Sequence, residues 1–239
     1  MPQSDERIHR EVVSFVRRST RMNPSQQRAW DTLRETYVVE VPRGASHTSI
    51  SPDARLDWTA VFGRDAPLAV EIGGGTGHAL VALAEAHPEL NVVAFEVFVP
   101  SVASTMARLA RHGVTNVRII IGDGVEGLAA LLPADSVEHL WTFFPDPWHK
   151  SRHHKRRLVS TEFAALVATR LTPTGAWHLA TDWEDYAEAM REVLDEHLGL
   201  ANVHDDWAPR LDERPVTKYE RRGMDAGRTI RDLTYRRAG

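Results

Sequence analysis

The residues best placed for chemistry are acids at the ends of apolar runs. Glu71 stands in Leu68-Ala69-Val70-Glu71-Ile72, directly ahead of Gly73, Gly74, Gly75 and Gly77. Glu96 closes the run from Asn91 to Phe95. Asp123 follows Val117 to Ile121 in Gly122-Asp123-Gly124, and Asp146 lies between Pro145 and Pro147 after Val137 to Phe144. Glycines let a backbone bend sharply and approach a ligand closely, and the helix after such a loop offers unpaired N–H groups to an anion. A dinucleotide fingerprint needs its third glycine at position 78, which is His78, so a pyrophosphate is not the expected ligand. A carboxylate about twenty residues past the loop suits two ribose hydroxyls.

Immediately after the Asp146 segment comes a cationic run. Between Pro147 and Arg157 there is no acid, while Lys150, Arg152, Lys155, Arg156 and Arg157 alternate with His149, His153 and His154. From Arg214 onward, Lys218, Arg221, Arg222, Arg228, Arg231, Arg236 and Arg237 outnumber Glu220, Asp225 and Asp232. Net charge is −4, yet phosphate binding responds to local potential, so a basic face on an acidic chain is no contradiction. A charge run is often only a solvated surface; several runs beside a ligand loop favour a polyanion.

Strands alternating with helices must position these groups. Leu68–Ile72, Asn91–Phe95, Val117–Ile121, Val137–Phe144 and Trp177–Ala180 read as five strands. Helices are predicted over His78–Ala86, Pro100–His112, about Arg157–Arg170 and about Trp183–His197. Leu200–Val203 and Thr229–Tyr235 read as two further strands separated by a long polar loop. This order predicts an open, mostly parallel α/β sheet covered on both faces, with ligands at the carboxyl ends of the strands. Residues 1–45 read as a partly disordered N-terminal arm and 46–239 as the folded domain.

With no cysteine in 239 residues, disulfides, thiolate zinc sites, iron–sulfur clusters and thiolate nucleophiles are excluded. Anything alkylated by this chain must already be a nucleophile. No apolar run nears the roughly 20 residues of a bilayer span, and arginines interrupt the apolar positions of the N-terminus, so neither a membrane partner nor a signal peptide is expected. A cytoplasmic location follows by default. His149, His153 and His154 lack further ligand spacing, so no metal is expected either.

The string Phe143-Phe144-Pro145-Asp146-Pro147-Trp148, with the cationic run after it, closely resembles the signature of the bacterial tRNA (guanine-N7-)-methyltransferase family. The Glu71–Gly77 loop, Thr181-Asp182, Thr217-Lys218-Tyr219-Glu220 and Gly223 agree in the same order. The resemblance implies a Rossmann-like class I methyltransferase with a seven-stranded sheet, S-adenosylmethionine as cofactor and S-adenosylhomocysteine as its product. It also implies tRNA as partner and N7 of guanosine 46 in the variable loop as target. Glu71, Gly73, Gly75, Gly77, Glu96, Asp123 and Asp146 then become cofactor-site residues, Asp123 by a contact to the adenine amino group. Asp146 is also the presumed catalytic acid. Lys150, Asp182, Thr217, Lys218, Tyr219 and Glu220 match substrate-contacting positions, and Arg152, His154, Lys155, Arg156 and Arg157 an RNA-contacting segment.

Guanine N7 has a free lone pair and no proton, so the missing cysteines are in accord with this chemistry. Two alternatives stand beside it. Asp146-Pro147-Trp148 is similar to the Asp-Pro-Pro-aromatic motif of exocyclic-amine methyltransferases, although Trp148 replaces its second proline. A catalytically silent RNA-binding module is the other. Trp148 suits either a base or a buried core, and a monomer and a homodimer both stay open.

Overall fold

The computed structural model describes residues 21–239. Seven strands form one sheet in the order β3-β2-β1-β4-β5-β7-β6: β1 (Leu68–Ile72), β2 (Asn91–Glu96), β3 (Val117–Ile121), β4 (Val137–Phe143), β5 (Leu171–Thr181), β6 (Leu200–Asn202) and β7 (Arg231–Arg237). The first five run parallel, and β7 is antiparallel to both neighbours. Strand order reverses between β1 and β4, so the crevice for a ligand opens at their carboxyl ends.

Helices α1 (Pro24–Tyr37), α3 (His78–Ala86) and α4 (Val99–His112) cover one face. On the other lie α2 (Trp58–Phe62), α5 (Gly124–Leu131), α6 (Thr161–Arg170) and α7 (Glu184–Asp195). Val102, Met106 and Leu109 of α4 recur at helical spacing and are fully buried, and Gly113 closes the helix in the left-handed conformation. On the opposite face Trp177 stands edge-on to Phe163, and its indole N–H donates to Thr142 Oγ1 at 3.0 Å, so this large side chain is buried without an orphaned donor.

Several features depart from the sequence reading, among them the unpredicted α2 and the start of β5 at Leu171 rather than Trp177. The described part of the arm is docked: Asn23 and Gln26 form a reciprocal cap on α1, Gln26 Nε2 donates to Pro100 O and Ser104 Oγ, and Tyr37 hydroxyl donates to Val114 O. Residues 1–20 lie outside the described residues. Another departure is α5, which carries Gly124 and Gly127, poor helix formers. A Cβ at Gly127 would stand 2.1 Å from the Phe95 ring and one at Gly124 2.6 Å from Ile72, so close packing on β2 and β1 selects these glycines. Ser151–Arg156 is a separate 3-10 turn, and α6 starts only after Ser160, whose side chain caps it. The polar loop also holds a helix, α8 (Lys218–Asp225), started by a Thr217/Glu220 capping box.

Candidate active site

The loop after β1 gathers the first group of expected residues. Gly73, Gly75 and Gly77 all adopt positive φ, which an L side chain resists. Gly75 N–H donates to Glu96 Oε2 at 3.0 Å, while Glu96 Oε1 accepts from Val97 and Phe98 N–H. Glu96 thus ties the loop to the end of β2. Beneath the loop, Glu71 is 2 % exposed, and its Oε2 is buried without a hydrogen-bond partner. Burial, and then the charge of Glu96, push its carboxyl up to about 8. A Cβ on Gly74 would fall 2.0 Å from that same oxygen. Such an orphaned acid under an open glycine loop fits a ligand that brings a cation or a hydrogen-bond donor, as the amino-acid end of S-adenosylmethionine does. Asp123 is buried and spends Oδ1 capping α5 at Val125 and Glu126 N–H, so part of its expected ligand role is taken by the helix start.

This placement sets a pH dependence. Between its ordinary value of 4.5 and about 8, the folded chain keeps the Glu71 proton that the unfolded chain releases. The folded state then binds more protons, so stability falls as pH rises through this window, by up to about 1.4 kcal/mol per pH unit. Glu71→Gln is expected to flatten that fall. Thermal melts of both proteins at pH 5, 7 and 9 check it, and parallel curves would defeat the assignment.

Asp146 sits half-buried in the turn that ends β4. Phe144 and Trp148 on either side hold φ of 51° and 46°, strained for bulky residues. Neighbours over-determine this shape: Phe144 N–H donates to Ala180 O at 2.7 Å, and Arg157 Nε donates to Pro147 O at 3.0 Å. Trp148 is buried, with the Arg156 guanidinium 5.0 Å from its ring centroid and His153 edge-on, which settles its role as an anchor of the turn. Lys150, Arg152, Lys155 and Arg156 are exposed along the next segment. Arg157 is turned inward instead, 7 % exposed and paired with Asp185 Oδ2 at 2.6 Å over the Tyr186 ring; it braces the site rather than forming its surface. His154 is half-buried, its Nε2 3.8 Å from Asp185 Oδ2. His149 lies against Trp183, ring centroids 4.1 Å apart.

Across the crevice, Asp182 follows β5 and pairs with Arg228 Nε at 2.8 Å. Thr217, Lys218 and Tyr219 open α8, with Lys218 and Tyr219 exposed. Glu220, by contrast, is 1 % exposed, and both of its oxygens are engaged, by Arg210, by Arg214 and by the Thr217 N–H of the capping box. It supports the wall from behind. Sequence reasoning missed the centre of this wall. Arg214 is fully buried, donates to Asp232 at 2.7 and 3.1 Å and to Glu220 at 3.3 Å, and lies over the rings of Phe143 and Phe144. Its only signal was its place at the head of a basic stretch, which points to a surface and not to a buried ion pair. Among the described residues no group of three or more metal-ligating side chains is placed to hold an ion, and no helix is long and apolar enough to cross a membrane.

Comparison with known proteins agrees with this geometry. Residues 65–233 match the family described as "Putative methyltransferase". The KamB 16S rRNA methyltransferase structure superposes with a TM-score of 0.57 at 16 % identity, over 76 % of this chain and 93 % of that one, a likeness of fold. The tRNA (guanine-N(7)-)-methyltransferase of Cutibacterium acnes is 55 % identical over 98 % of this chain and 86 % of its own length. The enzyme of the same name from a Nocardioides species is 49 % identical over 99 % and 91 %. With identity of this extent spanning the glycine loop, the Asp146 turn and α8 alike, the chain belongs to the tRNA (guanine-N(7)-)-methyltransferase family.

Proposed function

We propose that this chain, acting in the cytoplasm, transfers a methyl group from S-adenosylmethionine to N7 of guanosine 46 in the variable loop of tRNA. One observation carries the reading. The turn holding Asp146 ends β4 beside β1, whose own end forms the glycine loop, and continues directly into an exposed cationic segment. A methyl-donor pocket and a phosphate-binding surface therefore share one piece of backbone. Position 46 follows from the family resemblance.

S-adenosylmethionine, when bound, supplies an electrophilic methyl on a sulfonium. Glu71, Glu96, Asp123 and the glycine loop would hold it, the loop by close backbone approach and the acids by hydrogen bonds. Because guanine N7 carries no proton, the chain needs no general base or thiolate, and its contribution is alignment, worth up to roughly 7–11 kcal/mol in favourable cases. Asp146 accepts hydrogen bonds from the guanine edge and stabilises the positive charge that grows on the ring. Asp182, Thr217, Lys218 and Tyr219 face the nucleoside from the opposite wall, while Lys150, Arg152, Lys155 and Arg156 meet phosphates.

Incubation with methyl donor and an unmodified tRNA transcript, followed by nucleoside analysis, is expected to yield 7-methylguanosine. A transcript with adenosine at position 46 should yield none. Absence of product from the first sinks the activity, and product from the second sinks the position. A base methylated on its exocyclic amine would favour the alternative class.

Changing Arg152 and Lys155 together to alanine is expected to weaken tRNA binding and to lower the log–log salt slope by about 0.7–0.9 for each phosphate that is no longer neutralised. Arg157→Ala should instead lower the melting temperature, because its partner Asp185 and the Pro147 carbonyl lose their donor. An unchanged slope in the double variant takes this segment out of the interface.

A further inference from the structure

Behind the wall that carries Asp182 lies a cavity of about 560 Å³ that the proposed methyl transfer does not use. Val216, Glu220 and Met224 line it from successive turns at the start and along one stripe of α8, facing Ala208 and Ile230, with Arg210 and Arg228 at its sides. None of its lining residues is aromatic, and the flat surfaces it offers a base are the guanidinium planes of Arg210 and Arg228, beside apolar side chains. Its open side is apolar, with Val216 44 % and Met224 54 % exposed, whereas its polar floor is spent internally, Glu220 on Arg210 and Arg214, and Asp232 on Arg214. A floor already satisfied gives no sequence-specific hydrogen bonds but accepts a flat apolar face. Arg228 at the cavity's side is partly exposed, matching a phosphodiester running past the mouth.

The cavity adjoins the candidate site through Arg228 and, from its floor, through Arg214, which Glu220 and Asp232 hold over Phe143 and Phe144. Arg228 lines it and also pairs with Asp182, its guanidinium 5.8 Å from the Trp183 ring centroid. Asp182 in turn follows the strand whose Ala180 carbonyl holds the Asp146 turn.

Resting on the assignment of tRNA as substrate, we infer that this cavity takes the base of a nucleotide flanking the methylated guanosine. Stacking that neighbour would pull the two bases apart and hold the target's N7 face open towards Asp146. Single-stranded bases are commonly gripped on aromatic rings or arginine guanidinium planes, with the backbone along cationic side chains.

A double cycle between protein and RNA tests it. Transcripts are made with an abasic residue on the 5′ or the 3′ side of the methylated guanosine, and the protein is paired with its Val216→Ala/Met224→Ala variant. Both side chains are largely exposed, so the variant's melting temperature should match the parent's. With the parent protein, one abasic transcript is expected to lose about tenfold in kcat/KM. The variant should lose a similar factor on intact tRNA and nothing further on that abasic transcript, the mark of a shared interaction. Losses that multiply, or no loss in either arm, overturn the pocket assignment while leaving 7-methylguanosine formation intact. Absence of 7-methylguanosine on intact tRNA with the parent protein overturns the methyltransferase assignment as well.

Discussion

Asp146→Ala is expected to slow methyl transfer by about 100- to 1,000-fold, the usual cost of removing one group aimed at charge that develops in the transition state, while tRNA binding changes by no more than a few-fold. The separation follows from how the turn is held. Its shape is fixed by the Phe144 N–H to Ala180 carbonyl bond, the Arg157 hold on Pro147 and the buried Trp148 ring, all on residues either side of Asp146. The proposed phosphate contacts, from Lys150 onward, lie on the exposed segment beyond. Asp146→Asn keeps the side chain's shape and an acceptor but removes its charge, so its rate should fall between parent and alanine variant. Single-turnover rates beside filter-binding affinities for tRNA check this, and equal losses in rate and affinity would make Asp146 a structural residue.

Arg214→Ala is expected to be the most damaging single change to the fold. Burial already pushes the Asp232 carboxyl above its ordinary value, with Arg214 pulling it back, so removing the guanidinium strands a buried charge. Breaking one side of a buried ion pair costs about 3–5 kcal/mol, or a melting temperature lower by about 6–20 °C for a chain of this size. Arg214→Lys retains charge but cannot reproduce the two-pronged hold on Asp232, nor lie flat over Phe143 and Phe144. It should recover only part of the loss. Arg214→Met combined with Asp232→Leu removes both charges and should be more stable than Arg214→Ala. Calorimetry or a thermal melt decides, and an Arg214→Ala midpoint within about 2 °C of the parent would show that the network contributes little.

Much of this architecture was legible because its signals are local. Apolar runs and period-3.6 apolar spacing located all seven strands and four of the helices, and the glycine cluster marked the turn at the end of β1. The α5 helix was hidden because Gly124 and Gly127 answer to Ile72 and Phe95, partners distant in the chain, and α8 was hidden because it is nearly all polar. Arg157, Glu220 and Arg214 were harder still. A charged residue's direction depends on what the fold sets opposite it, here Asp185 for the first and Asp232 for the last, and spacing holds no trace of that. The acids Glu71, Glu96, Asp123 and Asp146 were readable because each follows or ends a strand of one sheet, which brings them to one edge.

The seating of β7 bears on how the enzyme is made. The strand between β5 and β6 comes after both in the chain, and β6 pairs with nothing else in the sheet. While the nascent polypeptide is still on the ribosome, the parallel half with its glycine loop can assemble and seat α7 on β5, but β6 must wait for residues 231–237 to emerge. Asp232, which holds Arg214, arrives with that same strand. The wall built from α8 and β7 is thus the last part to set, after the parallel half has formed.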